Sequence, residues 1–223
     1  HYGNIGIFAI DSLGFFDTAY SILLDKHPFK DFWIFSGPLV DYIQAAFFKL
    51  FGVSWFSYSL HSSIFNSIFA LATFFTLKSF NLDLKYSFFY SVLASILMYP
   101  TYGIPFTDHS TAIFCMLSIY SLILAIKFEK NVFWFLIPVL IFLAFFTKQT
   151  PTGYFGILIF FVIILFLIQN FKKEIIIFGL AGTVFSAFIF ISFILINNVS
   201  IDSFVTQYFL YPMSLGETRL EWL

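Results

Sequence analysis

Long apolar runs alternate with short polar segments from about residue 55 onward. A helix needs roughly 20 apolar residues to cross the hydrocarbon core of a bilayer, which is about 30 Å thick. Six runs approach this length, at about 55–77, 87–100, 110–127, 131–147, 154–170 and 175–197. Several are shorter than this, so tilting or local thinning of the bilayer is expected. The pattern predicts an all-α fold, a polytopic membrane helix bundle.

The segment before the first run has a different pattern. Its apolar positions recur at helical spacing, at Leu39, Ile43, Phe47, Leu50 and Phe51. Polar residues lie off this stripe, at Asp41, Gln44 and Lys49. The pattern is typical of a helix that lies in the membrane interface, and Ser36-Gly37-Pro38 predicts a turn that leads into it.

The lysines orient the spans, because cytoplasmic loops carry an excess of basic residues. One set marks alternate loops and is taken as cytoplasmic: Lys78, Lys85, Lys127, Lys130, Lys172 and Lys173. A second set then lies on the outer side, where anion binding would explain it: Lys26, Lys30, Lys49, Lys148 and Arg219. This topology predicts a multi-pass integral membrane protein whose functional face is extracytoplasmic.

The chain is predicted to form a single transmembrane domain over residues 1–223. Residues 1–54 are expected to form an extracytoplasmic loop with interfacial helices, 55–197 about six spans, and 198–223 the start of the next extracytoplasmic loop. The chain starts at His1 and ends directly after a loop, which favours the N-terminal part of a longer protein.

Composition agrees with a membrane protein. The chain is 60% hydrophobic and 10% charged, with a mean hydropathy of +0.93, whereas soluble domains are about one quarter charged. Membrane lipids are therefore expected partners. The net charge of −1 argues against nucleic acid as a partner. One cysteine, Cys115, allows neither an intramolecular disulfide nor a cysteine-based metal site.

The polar residues with chemical potential share the outer side of this topology. Five of the eight aspartates lie within the first 41 residues. The outer candidates are Asp17, His27, Asp31, Asp108, His109, Lys148, Gln149 and Arg219. Their convergence predicts a functional site at the extracytoplasmic mouth of the bundle.

Asp17 is the first candidate for catalysis. It follows Phe15-Phe16, and a carboxylate in apolar surroundings becomes more basic. It could then deprotonate a hydroxyl or amine acceptor. The alternative is structural, since Asp is also a favoured helix N-cap.

The remaining candidates each have two interpretations. Asp31 would position a substrate or brace the loop. Asp108 and Ser110 would cap the helix that follows them. Alternatively, Asp108 and His109 would form a second polar cluster facing Asp17, with a divalent cation as an open alternative. Lys148 would bind a lipid phosphate at headgroup depth, or merely extend its ammonium to the interface.

Four motifs carry a family resemblance. DTAY at 17–20 is followed by PFKDFW at 28–33 and SGPLVDYIQAAFFKLFGVSW at 36–55, and FFTKQTP lies at 145–151. In order and spacing they resemble the C-type membrane glycosyltransferases, in the bacterial branch akin to dolichyl-phosphate-mannose protein mannosyltransferases and aminoarabinose lipid A transferases. The resemblance covers most of the chain and is most specific over 14–55.

The resemblance implies transfer of a sugar from a polyprenyl-phosphate donor to a lipid, glycan or protein acceptor. Asp17 then corresponds to the catalytic carboxylate and Lys148 to a ligand of the donor phosphate, while Asp108 matches more loosely an acidic residue of the second outer loop. The bacterial branch implies an enzyme of the inner membrane whose active site faces the periplasm. Gln149 and Arg219 are further candidates for substrate binding, and Arg219 would also stabilise the charge of the departing phosphate. Thr18 stands where the mannosyltransferases have a second acid, which argues against a true protein O-mannosyltransferase. The alternatives are a flippase or transporter of lipid-linked sugars, and a non-catalytic membrane scaffold.

Overall fold

The structure is a computed structural model that describes residues 9–100 and 103–220, with side chains for 13–100 and 103–216. These residues are mainly helical and contain no β-strand. The helices are α1 (Ala9–Leu23), α2 (Leu39–Phe51), α3 (Trp55–Ser79), α4 (Leu84–Met98), α5 (Thr107–Phe128), α6 (Asn131–Phe145), α7 (Gln149–Gln169), α8 (Lys173–Ile196), α9 (Ile201–Val205) and α10 (Tyr211–Leu220). A π-helical turn, Thr206–Leu210, joins α9 to α10.

The six predicted apolar runs correspond to helices α3 to α8, which confirms the all-α membrane bundle. Four of these helices, α3, α5, α7 and α8, are long and apolar enough to cross a membrane. The other two, α4 and α6, have 15 residues each and would be about 22 Å long at 1.5 Å per residue. The expected shortness of some spans is therefore found in α4 and α6.

The centre of the bundle is formed by α6, which packs against α5, α7 and α8. The approach of α8 to α6 depends on Gly182, because a Cβ atom there would overlap the carbonyl oxygen of Phe135. Helix α3 packs against α4 and α5. Asn66 on α3 donates to the Ser95 hydroxyl on α4 at 2.8 Å, a hydrogen bond between the two helices.

Two ends of the bundle differ in chemistry. We call one the loop end; it contains residues 24–38, the described part of 99–106, and 146–148. Here the backbone N–H of Gly37 donates to the carbonyl of Thr147 at 2.9 Å. We call the other the lysine end; there Lys172 pairs with Glu129 at 2.6 Å. The structure thus separates the two ends as the lysine pattern predicts.

Helix α2 lies at the loop end, between α1 and α3. It begins after Pro38, which confirms the predicted turn. Its apolar stripe is partly exposed, and Leu50 and Phe51 are among the exposed side chains. Asp41 and Gln44 lie off that stripe but are buried against neighbouring helices. Asp41 is therefore not solvated, because α1 and α3 cover the polar face of α2.

The segment after α8 packs on the loop end. We call residues 24–38, between α1 and α2, the N-terminal segment. Phe204 and Tyr208 belong to one buried cluster with Phe29 and Ile34 of this segment and with Phe146 at the end of α6. Residues 201–220, which the sequence places in the start of a loop, are helical in the structure. The loop end is therefore a layer of three segments that are far apart in sequence.

Candidate functional site

An ion pair at the loop end joins two of the predicted site residues. The Nζ atom of Lys148 lies 2.5 Å from Oδ1 of Asp108. Lys148 is the residue before α7, and Asp108 lies in the first turn of α5. Their side chains remain 34% and 49% exposed, and a pair so exposed contributes only about 0–1 kcal/mol to stability. An anionic ligand can therefore compete for the ammonium at a small energetic cost.

The helix ends around this pair also favour an anion. Both α5 and α7 begin at the loop end, and a helix N-terminus carries a partial positive charge and free N–H groups. Neither helix has a side-chain cap, since Phe106 and Lys148 occupy the N-cap positions without a capping hydrogen bond. The interpretation of Asp108 as an N-cap is therefore wrong, although its carboxylate in the first turn is favoured by the helix dipole.

Gln149 holds the loop end together. Its Nε2 donates to the carbonyl of Phe35 at 3.0 Å and to that of Tyr208 at 3.2 Å. The amide thereby connects the start of α7 to the N-terminal segment and to the segment after α8. These bonds occupy the amide nitrogen of Gln149, which leaves its carbonyl oxygen as the group available to a ligand.

A second glutamine, Gln207, also connects segments that are distant in sequence. It is not among the residues that the sequence predicts for the site. Gln207 accepts from the backbone N–H of Ile34 at 3.2 Å and donates to the carbonyl of Phe29 at 3.3 Å. Its side chain is buried. The signal available in the sequence was a single amide within the apolar stretch FVTQYFL, because a buried polar side chain requires hydrogen-bond partners.

Asp31 closes the turn that precedes α2. Its Oδ2 accepts from the backbone N–H of His27 at 2.7 Å, and its own N–H donates to the carbonyl of His27 at 2.8 Å. The Nδ1 atom of His27 lies 2.9 Å from the Tyr42 hydroxyl. Burial, and next the charges of Asp41 and Asp31, raise the pKa of Tyr42 above its usual range. Tyr42 therefore stays protonated, and Asp31 has the geometry of a brace.

Asp17 lies in the middle of α1, so its interpretation as an N-cap is wrong. Its side chain is exposed, on the same face as Leu13, Tyr20 and Leu24. The apolar enclosure expected from the sequence is absent around it, since Phe16 points to α2 and α3 instead. Among the described residues, Asp17 has no hydrogen bond or ion pair and remains open to a ligand.

Helix α1 nevertheless reaches the start of α5. The ring of Phe15 contacts that of Phe106 edge-to-face, with centroids 5.6 Å apart. Phe106 precedes α5 and contacts His109, whose Nδ1 is enclosed without a partner among the described residues. The carboxylate of Asp17 and the Lys148–Asp108 pair thus belong to segments in contact at one end of the bundle.

A buried carboxyl group lies directly behind Asp17. Asp41, on α2, is 1% exposed and accepts a hydrogen bond from the hydroxyl of Thr18, on α1. Burial raises the pKa of Asp41 to about 7, although the Thr18 hydroxyl lowers it. The sequence does not reveal this environment, because the polar residues of α2 look equally solvated until its neighbours are known.

Two further observations concern ligands. Among the described residues, no three His, Cys, Asp or Glu side chains gather closely enough to hold a metal ion. A pocket of about 250 Å³ lies at the lysine end, lined in part by Trp134, Phe166 and Lys172. None of the predicted site residues lines it. The helix of Arg219 is described, but its side chain lies outside the described side chains.

Comparison with known proteins gives one match. The profile of the family described as dolichyl-phosphate-mannose-protein mannosyltransferase matches residues 26–197. The matched region contains Asp31, Asp108, His109, Lys148 and Gln149, whereas Asp17 precedes it and Arg219 follows it. Searches of curated proteins and of solved structures found no match.

Proposed function

Because this chain belongs to the dolichyl-phosphate-mannose-protein mannosyltransferase family, a family of C-type membrane glycosyltransferases, we propose that it transfers a sugar from a polyprenyl-phosphate donor. The acceptor would be a lipid, a glycan or a protein on the extracytoplasmic face. The observation that carries the proposal is the Lys148–Asp108 pair at the loop end. It provides a partly exposed cation at the end of the apolar helices, where the phosphate of a lipid headgroup would lie.

The reaction would be an inverting displacement. The acceptor oxygen or nitrogen attacks the anomeric carbon of the sugar, and its proton passes to the carboxylate of Asp17. The bond from the anomeric carbon to the phosphate oxygen breaks, and the phosphate departs with the bonding electrons. Lys148 stabilises the negative charge that develops on this oxygen. Asp108 holds the ammonium in place in the structure, and in the complex the phosphate would replace this carboxylate as the partner of Lys148.

The apolar surface of the bundle would hold the polyprenyl chain. Helices α7 and α8 expose many large side chains, including Leu158, Phe161 and Phe188. The phosphate would then lie at the start of α7 while the chain extends along the helices toward the lysine end. This arrangement needs no polar path through the bilayer, which is what a transporter would require.

The experiment uses full-length protein in proteoliposomes with a panel of radiolabelled polyprenyl-phosphate sugars. We expect Asp17→Asn to lower the transfer rate by about 100-fold or more, the size of a general-base contribution. Undiminished transfer by this variant at equal expression would exclude Asp17 as the base. Movement of donor across the bilayer without labelled product would indicate a flippase, and neither product nor movement would favour a scaffold.

The phosphate-binding role of Lys148 has a matched control. We expect Lys148→Gln to reduce transfer by about 100-fold, since one charge-stabilising donor is removed from the leaving group. Lys172 also pairs with a carboxylate, that of Glu129, but at the lysine end. Lys172→Gln should therefore leave transfer unchanged. Equal losses in both variants would contradict a specific role for Lys148.

A further inference from the structure

We propose that Asp41 and Thr18 form a positioning pair that fixes the orientation of α1 and thereby the direction in which Asp17 points. This inference rests on the proposed catalytic role of Asp17. In this proposal Asp41 does not contact the substrate. The pair acts through the helix, because Thr18 is the residue next to Asp17.

The apolar contacts of α1 leave its rotation poorly determined. The buried side carries Phe15, Phe16, Ala19, Ile22 and Leu23, and the exposed side also carries large apolar residues, Leu13, Tyr20 and Leu24. Apolar burial is not directional, so these contacts select the buried side of α1 but allow rotations about its axis that keep this side covered. A directional contact is needed to select one rotation.

The Thr18–Asp41 hydrogen bond supplies this direction. It joins α1 to α2 between side chains 23 positions apart in sequence. Successive residues of a helix are about 100° apart around its axis. With Thr18 held toward α2, Asp17 is turned by that angle onto the exposed face, where the structure has it. Asp41 itself is held at a buried position between Val40 and the partly buried Tyr42.

Loss of the pair should be tolerated by the fold. The Thr18 hydroxyl also lies 3.1 Å from the carbonyl of Gly14 and 3.3 Å from that of Phe15. When Asp41 is replaced by an apolar residue, the hydroxyl can therefore donate within its own helix. Asp41→Leu then removes a buried carboxyl group without leaving an unpaired donor. The variant therefore tests the orientation of α1 without a large loss of stability.

The chain offers a control with the same chemical change. Thr73 on α3 bonds to the hydroxyl of Tyr120 on α5 at 3.0 Å, in the interior of the bundle. Thr18→Val and Thr73→Val each remove one hydroxyl from a contact between helices. We expect Thr18→Val and Asp41→Leu to lower kcat by about 100-fold with little change in KM for the donor, as for misplacement of a catalytic group. Thr18→Ser should restore kcat, and Thr73→Val should retain it.

A second measurement does not depend on activity. In a Cys115→Ala background, the thiol introduced by Asp17→Cys is labelled with a water-soluble maleimide. We expect Thr18→Val to change the labelling rate and Thr73→Val to leave it unchanged. Unaltered labelling in Thr18→Val, or an equal loss of kcat in Thr73→Val, would overturn the positioning role. Undiminished transfer by Asp17→Asn would instead refute the proposed function, while the labelling result would still decide whether the pair orients α1.

Discussion

The carboxyl group of Asp41 lies almost fully out of solvent where α1 contacts α2, with the hydroxyl of Thr18 as a hydrogen-bond donor. One neutral donor offsets only part of the cost of burying a carboxylate. The group therefore holds a proton up to a pKa of about 7, against an ordinary value of 3.8. Asp41 favours folding when it is protonated and opposes folding when it is ionised.

This raised pKa predicts a pH-dependent stability. Between about pH 4 and pH 7 the folded state retains the proton that the unfolded state has lost, so the free energy of unfolding falls as the pH rises. At about 1.4 kcal/mol per pKa unit, the contribution lost by pH 8 is roughly 4 kcal/mol. Asp41→Asn lacks this group and should gain thermal stability relative to the parent as the pH rises.

The measurement is the midpoint of thermal unfolding, Tm, in detergent at pH 5 and pH 8, for the parent and for Asp41→Asn. The difference between the two proteins should be larger at pH 8. Asp25→Asn is the control, because Asp25 is exposed and its removal should leave the pH profile unchanged. Parallel profiles for the parent and Asp41→Asn would contradict the burial of an ionisable Asp41.

At the scale of elements, the position of the N-terminal segment depends on one glycine. Gly37 is buried against the joint between α6 and α7, and a Cβ atom there would overlap the carbonyl of Phe146. The N–H of Gly37 donates to the carbonyl of Thr147 at 2.9 Å, and that of Leu39 to Phe146 at 3.3 Å. Lys148 follows directly, so this contact sets the distance between the segment and the candidate phosphate site.

Gly37→Ala should therefore separate the N-terminal segment from α7. Overpacking of this kind costs about 1–3 kcal/mol, and we expect both a lower Tm and at least a tenfold loss of transfer, since misplacement near a site has effects of about this size or larger. Gly153→Ala is the control at the same end, because a Cβ atom there would meet nothing within 4 Å. A normal Tm and transfer rate in Gly37→Ala would show that the close approach is dispensable.

At the scale of the whole molecule, the bundle has one end rich in lysines and one end that gathers the N-terminal segment, the start of α7 and the segment after α8. Large apolar side chains cover the outside between these ends, especially on α7 and α8. A bilayer would cover this surface and leave the ends in the two aqueous phases. The proposed reaction then requires the loop end to face outward.

This orientation can be tested by labelling in intact cells. In a Cys115→Ala background, an impermeant maleimide should label Lys26→Cys at the loop end without permeabilisation. Lys130→Cys, at the lysine end, should be labelled only after the membrane is opened. Both lysines are exposed in the structure. The reverse pattern would place the candidate site on the cytoplasmic side and contradict the proposed topology.

The sequence predicted the residues of the ion pair better than the environments of the aspartates. Lys148 and Asp108 each flank an apolar run, so the alternation of spans puts them at the same end. Asp17 and Asp41 both lie within short helices beside the spans. The hydropathy pattern does not predict which face of such a helix is buried. Their environments are opposite to those expected, since Asp17 is exposed and Asp41 is buried.

The pattern of apolar runs is enough to identify the membrane segments and the polar residues that share an end, because the bilayer core is crossed by apolar helices whose backbone groups bond internally. The tertiary structure decided which polar groups meet. Lys148 and Asp108 are 40 positions apart, and Gln207 contacts carbonyl and amide groups more than 170 positions away. Such contacts depend on how helices rotate and pack against one another, and no local pattern of hydrophobic and polar residues contains that information.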